Sequence, residues 1–228
     1  MIISIKKSGL AFIVAIVFVV AISFGAMIGL RAKAVSSPIY EYTVVIDAGH
    51  GGIDGGVVGS AGVKESDINL KMSRILEKEL ASRNIGVVMT RKSEDALNNV
   101  KRLDMQARKK IIVEANPTAV ISLHVNRFSD SSRRGVQVFY DDTGIGKDFA
   151  TLMQNYLNEN INAVYGTRSN YEPIGGDLFI TKCAKVPSII IECGFISNKD
   201  DERLLLSQDY CEDLCKRIGE VMTSALYN

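Results

Sequence analysis

Val44-Val45-Ile46-Asp47-Ala48-Gly49-His50-Gly51-Gly52-Ile53-Asp54-Gly55-Gly56 is the stretch that decides the fold. Its opening β-branched run suits a strand covered on both faces, and the glycines that follow end it. A strand of that kind belongs to a parallel sheet wrapped by helices, so the chain around it should alternate the two elements. His50 then falls just past the strand's carboxyl end, the edge of an open α/β sheet where ligands bind. The only other histidine of the 228-residue chain, His124, closes a second apolar run that begins at Ala119. Two histidines at two strand ends point to joint use.

Outward from that stretch, the alternation holds. Ser66 to Ala81 carries Ile68, Met72, Ile75, Leu76 and Leu80 on one face and Lys71, Lys78 and Glu79 on the other, the spacing of an amphipathic helix. Val87 to Arg91 reads as the second strand, 99–115 as the second helix, Ala119 to Val125 as the third strand and Gly135 to Tyr140 as the fourth. Phe149 to Ile161 is helical, the polar and Gly-rich 163–177 is a surface loop bordering the site, and Leu178 to Thr181 is a short strand. Pro187 to Glu192 is a further apolar strand, and 200–227 holds two helices. The expected fold class is α/β: a mainly parallel, twisted sheet of five or six strands with helices on both faces.

Before this domain, Gly9 to Leu30 runs without a charge behind Lys6-Lys7, long enough for a transmembrane helix and longer than the apolar stretch of most cleaved signals. Ala32-Lys33-Ala34 nevertheless resembles a cleavage site. The expected organisation is a membrane anchor or export signal over 1–35 and a catalytic domain over 36–228, placed outside the cytoplasm. A net charge of +1 argues against a nucleic-acid partner. Four cysteines, all in the last quarter and without a Cys-x-x-Cys pair, read as free or buried thiols.

Four polar residues fall at strand ends or helix starts: His50, Glu65, His124 and Glu192. Two imidazoles and a carboxylate make up a common catalytic zinc site with a fourth position open for water. Glu192, closing a run of three isoleucines, suits a general base facing that water. Each also has a plain structural reading. A strand-end histidine can bond backbone, Glu65 can favour a helix N-terminus, and Glu192 can pair with an arginine such as Arg91.

The segments 45–59, Gly62 to Leu70, Ser122-Leu123-His124-Val125-Asn126 and Pro187 to Asn198, with Thr90-Arg91 and Arg108 between them, together resemble the zinc-dependent N-acetylmuramoyl-L-alanine amidases of the Amidase type 3 family. The resemblance implies Zn²⁺ on His50, Glu65 and His124, with Glu192 as the catalytic glutamate. It implies peptidoglycan as the substrate, cut between the lactyl group of N-acetylmuramic acid and L-alanine. A bare catalytic domain behind an N-terminal segment looks most like the germination-specific, spore-cortex branch, active in muramic-lactam formation, and leaves room for a protein activator. The alternatives from other classes are a zinc carboxypeptidase acting on the same stem peptides and a non-catalytic wall-binding module.

Overall fold

The computed structural model describes residues 40–142, 145–167 and 170–227. The expected N-terminal anchor or signal, and its boundary at residue 35, lie outside these residues. Among those described, no helix is long and apolar enough to cross a membrane.

In chain order the elements are β1 (Thr43–Ala48), α1 (Glu65–Ser82), β2 (Gly86–Met89), α2 (Lys101–Ala115), β3 (Ala119–Asn126), β4 (Gln137–Asp141), α3 (Lys147–Leu157), β5 (Ile174–Gly176), β6 (Ser188–Phe195), α4 (Lys199–Leu206) and α5 (Gln208–Tyr227). The six strands form one sheet in the order β2-β1-β3-β6-β4-β5. The first four are parallel, β4 runs antiparallel to β6, and β5 is parallel to β4. The mainly parallel sheet is as expected.

The two faces of the sheet are covered unequally, and strand periodicity decides which residue serves which face. Val44, Ile46, Ile121, Leu123, Ile189 and Ile191 point into the larger core, packed by α1, α3 and α5. Val45, Val120 and Ile190 point the other way, into a smaller cluster closed by Ile112 of α2 and by Ile180 and Cys183. The polar residues Asp47, Ser122, His124 and Glu192 alternate onto this second face, so the thinner layer is where the chemistry-bearing side chains collect.

One sequence expectation fails locally. Leu178 to Thr181 is not a strand; Ile180–Lys182 forms a single 3-10 turn, and the strand lies upstream at Ile174–Gly176. Its partners are Phe139, Tyr140 and Asp141 of β4. Two of its three residues are glycines, which carry no side-chain pattern to read, while the apolar Leu178-Phe179-Ile180 owes its hydrophobicity to the small cluster and the cavity beside it. α3 likewise ends at Leu157 and continues as one π turn, Asn158–Asn162, rather than as α-helix.

All four cysteines are free and buried. Burial pushes the Cys183 thiol up to about 11 and raises Cys193, Cys211 and Cys215 as well, so none offers a thiolate near neutrality. In native protein at neutral pH, a chromogenic thiol reagent should titrate no cysteine, and all four should react once urea is added. Fast labelling of Cys211 or Cys215 before unfolding would show that α5 does not hold the packing described.

Candidate functional site

The site begins with a backbone problem. After β1 the chain turns sharply and His50 takes a left-handed conformation, φ 60°, unusual for a residue with a side chain. Two buried arginines hold the turn by its carbonyls. Arg108 of α2 donates through Nη1 to Ala48 O at 2.8 Å and through Nη2 to His50 O at 2.6 Å. Arg91 donates through Nε to Ala48 O at 2.9 Å and through Nη2 to Gly49 O at 3.0 Å and Ser66 O at 2.8 Å. Arg91 is therefore not the partner of Glu192; its donors tie the histidine loop to the start of α1.

Arg108 is itself charge-compensated. Its Nη1 lies 2.7 Å from Asp47 Oδ1 and its Nε 2.7 Å from Asp104 Oδ2, and it is 2% exposed. Asp47 also accepts from Thr90 Oγ1 and Ser122 Oγ, each at 2.7 Å. Burial acts to raise the Asp47 pKa, but the Arg108 guanidinium and the two hydroxyls outweigh it and hold the carboxyl below its usual range. Burial and the neighbouring Arg108 pull Arg91 down to about 10, which leaves it a cation at neutral pH.

On this platform the predicted residues meet. His50 Nε2 is 3.3 Å and His124 Nδ1 2.9 Å from the same atom, Glu65 Oε1. The two imidazoles stand edge to face with centroids 5.0 Å apart. One donor atom from each of the three residues lies within 4.8 Å of the others, and two imidazole nitrogens with one carboxylate form a donor set that suits a hydrolytic zinc ion. Glu65 is 3% exposed, and burial alone would raise its pKa; the two histidines reverse that and hold it well below the carboxylate range. Burial likewise opposes charge on His50, but Glu65 and Asp54 raise its pKa. Asp54 Oδ1 lies 2.9 Å from His50 Nδ1 in an ionic contact without hydrogen-bond geometry, a carboxylate behind the imidazole.

Space is as constrained as charge. A Cβ on Gly49 would sit 2.3 Å from the His124 ring, and one on Gly56 would sit 2.4 Å from Glu65 Oε2. Behind Gly56, Val57 N–H donates to Glu65 Oε2 at 3.0 Å, and Val125 N–H donates to Oε1 at 3.2 Å. Asn69, one helical turn after Glu65 and 1% exposed, donates from Nδ2 to Gly49 O at 3.2 Å and to Glu65 Oε1 at 3.4 Å. Sequence reading singled out neither Asn69 nor Asp54; the i, i+4 spacing from Glu65 was the available signal for the first.

Glu192 completes the row. Its β6 position pairs in register with His124 on one side and with Gln137 of β4 on the other, so the three side chains share the thinner face. Its Oε2 is buried without a hydrogen-bond partner. Burial pushes its pKa up to about 7, with His124 opposing the shift and Glu65 reinforcing it. A cavity of about 520 Å³ opens on the two histidines, with Met105, Phe179 and Ile190 in its wall.

The sequence model of the N-acetylmuramoyl-L-alanine amidase family, type 3, matches residues 44–224. The chain is 28% identical over 195 residues to the germination-specific N-acetylmuramoyl-L-alanine amidase of Bacillus subtilis, covering 82% of this chain and 80% of that protein. It is 26% identical over 192 residues to the B. subtilis amidase LytC, covering 83% of this chain but only 36% of that longer protein. Among solved structures, the CwlD amidase of Clostridioides difficile, determined in complex with the GerS lipoprotein, superposes with a TM-score of 0.76 at 29% identity, covering 82% of this chain and 98% of that one.

Two expectations follow. Arg108→Met leaves Asp47 a buried, uncompensated carboxylate and should lower unfolding free energy by about 3–5 kcal/mol in urea titrations, with partial recovery when Asp47→Asn is added. Asn69→Ala should weaken zinc binding about 10–100-fold in competition with a fluorescent chelator, while the melting temperature in excess chelator stays close to wild type. Equal losses with and without metal would make Asn69 an ordinary core residue.

Proposed function

This chain belongs to the N-acetylmuramoyl-L-alanine amidase family, type 3, and from that we propose that it hydrolyses the amide between the lactyl group of N-acetylmuramic acid and L-alanine in peptidoglycan stem peptides. The observation that carries the reading is the meeting of His50, Glu65 and His124 on one edge of the sheet with Glu192 in register beside them. In this reading His50, Glu65 and His124 would hold Zn²⁺. When bound, the ion would supply Lewis acidity toward the scissile carbonyl and lower the pKa of water in the site.

The other residues do what the ion does not. Glu192 Oε2, buried and unpartnered, takes a proton from the attacking water and returns it to the leaving L-alanine nitrogen, a task suited to a group that titrates near neutrality. Arg91 and Arg108 keep the Ala48-to-His50 turn rigid, so the His50 ring keeps its aim while the substrate changes shape. Asn69 and Val125 N–H hold Glu65, and Asp54 backs His50.

We place the reaction in spore-cortex peptidoglycan, outside the cytoplasm, with the apolar N-terminal segment as anchor or export signal. The similarity to the germination-specific amidase of B. subtilis supports the cortex. The CwlD amidase of C. difficile was determined with a lipoprotein bound, which supports a protein partner for this chain.

Incubating the full chain with intact peptidoglycan, with zinc or with chelator, and weighing the released fragments tests the reaction. Stem peptides with a free L-alanine N-terminus and peptide-free muramic acid are expected with zinc only. Release of terminal D-alanine instead would identify a carboxypeptidase. Glu192→Gln should retain zinc and slow turnover by about 10²–10⁴-fold; undiminished turnover would remove Glu192 from the proton transfer.

A further inference from the structure

A second cavity, of about 680 Å³, lies beyond the ends of β3 and β6 and shares no lining residue with the cavity that holds the histidines. One wall is Val58 to Ser60, from the loop that links His50 to Glu65; the opposite wall is Arg127 and Phe128, with Lys199 at the rim. Arg127 follows His124 by three residues, about 10 Å of extended chain. One cavity thus lies toward α2 and the other past the strand ends.

Their chemistry differs. Arg127 and Lys199 are both exposed, and neither makes an ion pair or side-chain hydrogen bond among the described residues. By contrast, Lys101 is paired with Asp54, Arg134 with Asp200 and Asp201, and Lys182 with Asp177. The one carboxylate in the second cavity, Glu202, is engaged by the loop, accepting from Ser60 Oγ and from Ala61 N–H. The cavity therefore presents two cations, neither of them in contact with a carboxylate among the described residues, against the single loop-held carboxylate of Glu202. Phe128 supports that side, with the Arg133 guanidinium 4.3 Å above its ring.

The amidase reading supplies the ligand that this charge fits. In the scissile amide the lactyl carboxyl is consumed, so the muramic-acid side of the bond is neutral; free carboxylates belong to the peptide side. We infer that the cavity between Arg127 and Lys199 is the subsite for the peptide stem, and that these two residues bind the free carboxylate of the residue after L-alanine. The inference rests on the amidase reading for the identity of the arm, and on geometry and charge for its place.

The test compares two soluble muramoyl peptides, one with that carboxylate free and one with it amidated, on the full chain and on its Arg127→Gln/Lys199→Gln variant. Neither position touches the histidine row, so the variant should cleave the amidated substrate as wild type does. Wild type should favour the free carboxylate about tenfold in kcat/KM, chiefly through KM, and the variant should lose that preference. The same comparison made by calorimetry with the two cleaved stem peptides requires no turnover. A tenfold difference in wild-type binding that disappears in the variant supports the subsite. Equal binding of both peptides by wild type, or an equal loss for both in the variant, overturns it, and a variant weakened only toward glycan oligomers would assign the cavity to the sugar arm instead. Failure of the zinc-loaded chain to cleave either substrate would count against the amidase reading, while the peptide-binding comparison would still decide the subsite.

Discussion

Three consecutive carbonyls, those of Ala48, Gly49 and His50, are gripped by two buried arginines, and the rest of the site depends on that grip. A turn that puts a histidine at positive φ is strained and has no strand partner for its carbonyls. Arg108 and Arg91 satisfy those oxygens and anchor them to α2 and α1. Buried arginines need compensation of their own, which Asp47 and Asp104 provide for Arg108. The charge network is thus a consequence of the turn, and the turn exists because His50 has to leave β1 facing Glu65.

The unequal layers of the sheet make room for this. Three long helices over one face bury the larger share of the apolar side chains, each worth on the order of 1.5–3 kcal/mol. The other face holds a smaller apolar cluster and can accommodate polar residues on alternate positions of β1, β3 and β6. Stability and chemistry are separated by strand periodicity: adjacent residues such as Leu123 and His124 serve opposite faces. A register slip of one residue would turn the histidine into the core.

Within the site the two glutamates are driven apart by their surroundings. Glu65 sits between two imidazoles and backbone donors and stays ionised; Glu192, a row-mate of His124, has no donor on Oε2 and is pushed toward neutrality. Carboxylates separated in this way suit different tasks, one to hold a cation and the other to move a proton. Near that row lie a cavity with an apolar wall and another whose two cations contact no carboxylate among the described residues, a polarity that matches a substrate with a neutral arm and an anionic one.

The amino-acid sequence by itself determined the alternation of strands and helices, the position of His50 just past β1 and of His124 and Glu192 on two further strands, and the family motifs. These are local or periodic properties, written in β-branched runs, glycines and helical spacing. It ended those two further strands too early, since β3 runs on to Asn126 and β6 to Phe195. It misplaced the short strand at Leu178 to Thr181, because β5 is Ile174–Gly176, a strand held by hydrogen bonds to β4 and not by any side-chain pattern. It also left the role of Arg91 open between pairing Glu192 and doing something else. Only the tertiary structure decided that Arg91 and Arg108 converge on one turn, that Asn69 and Asp54 stand behind Glu65 and His50, and that Arg127 and Lys199 face one cavity. The first and last of these join residues far apart in the chain, which meet only once the sheet order has brought β1, β3 and β6 side by side; Asn69 and Asp54 lie four residues from their partners, and spacing alone did not say that their side chains turn toward the site.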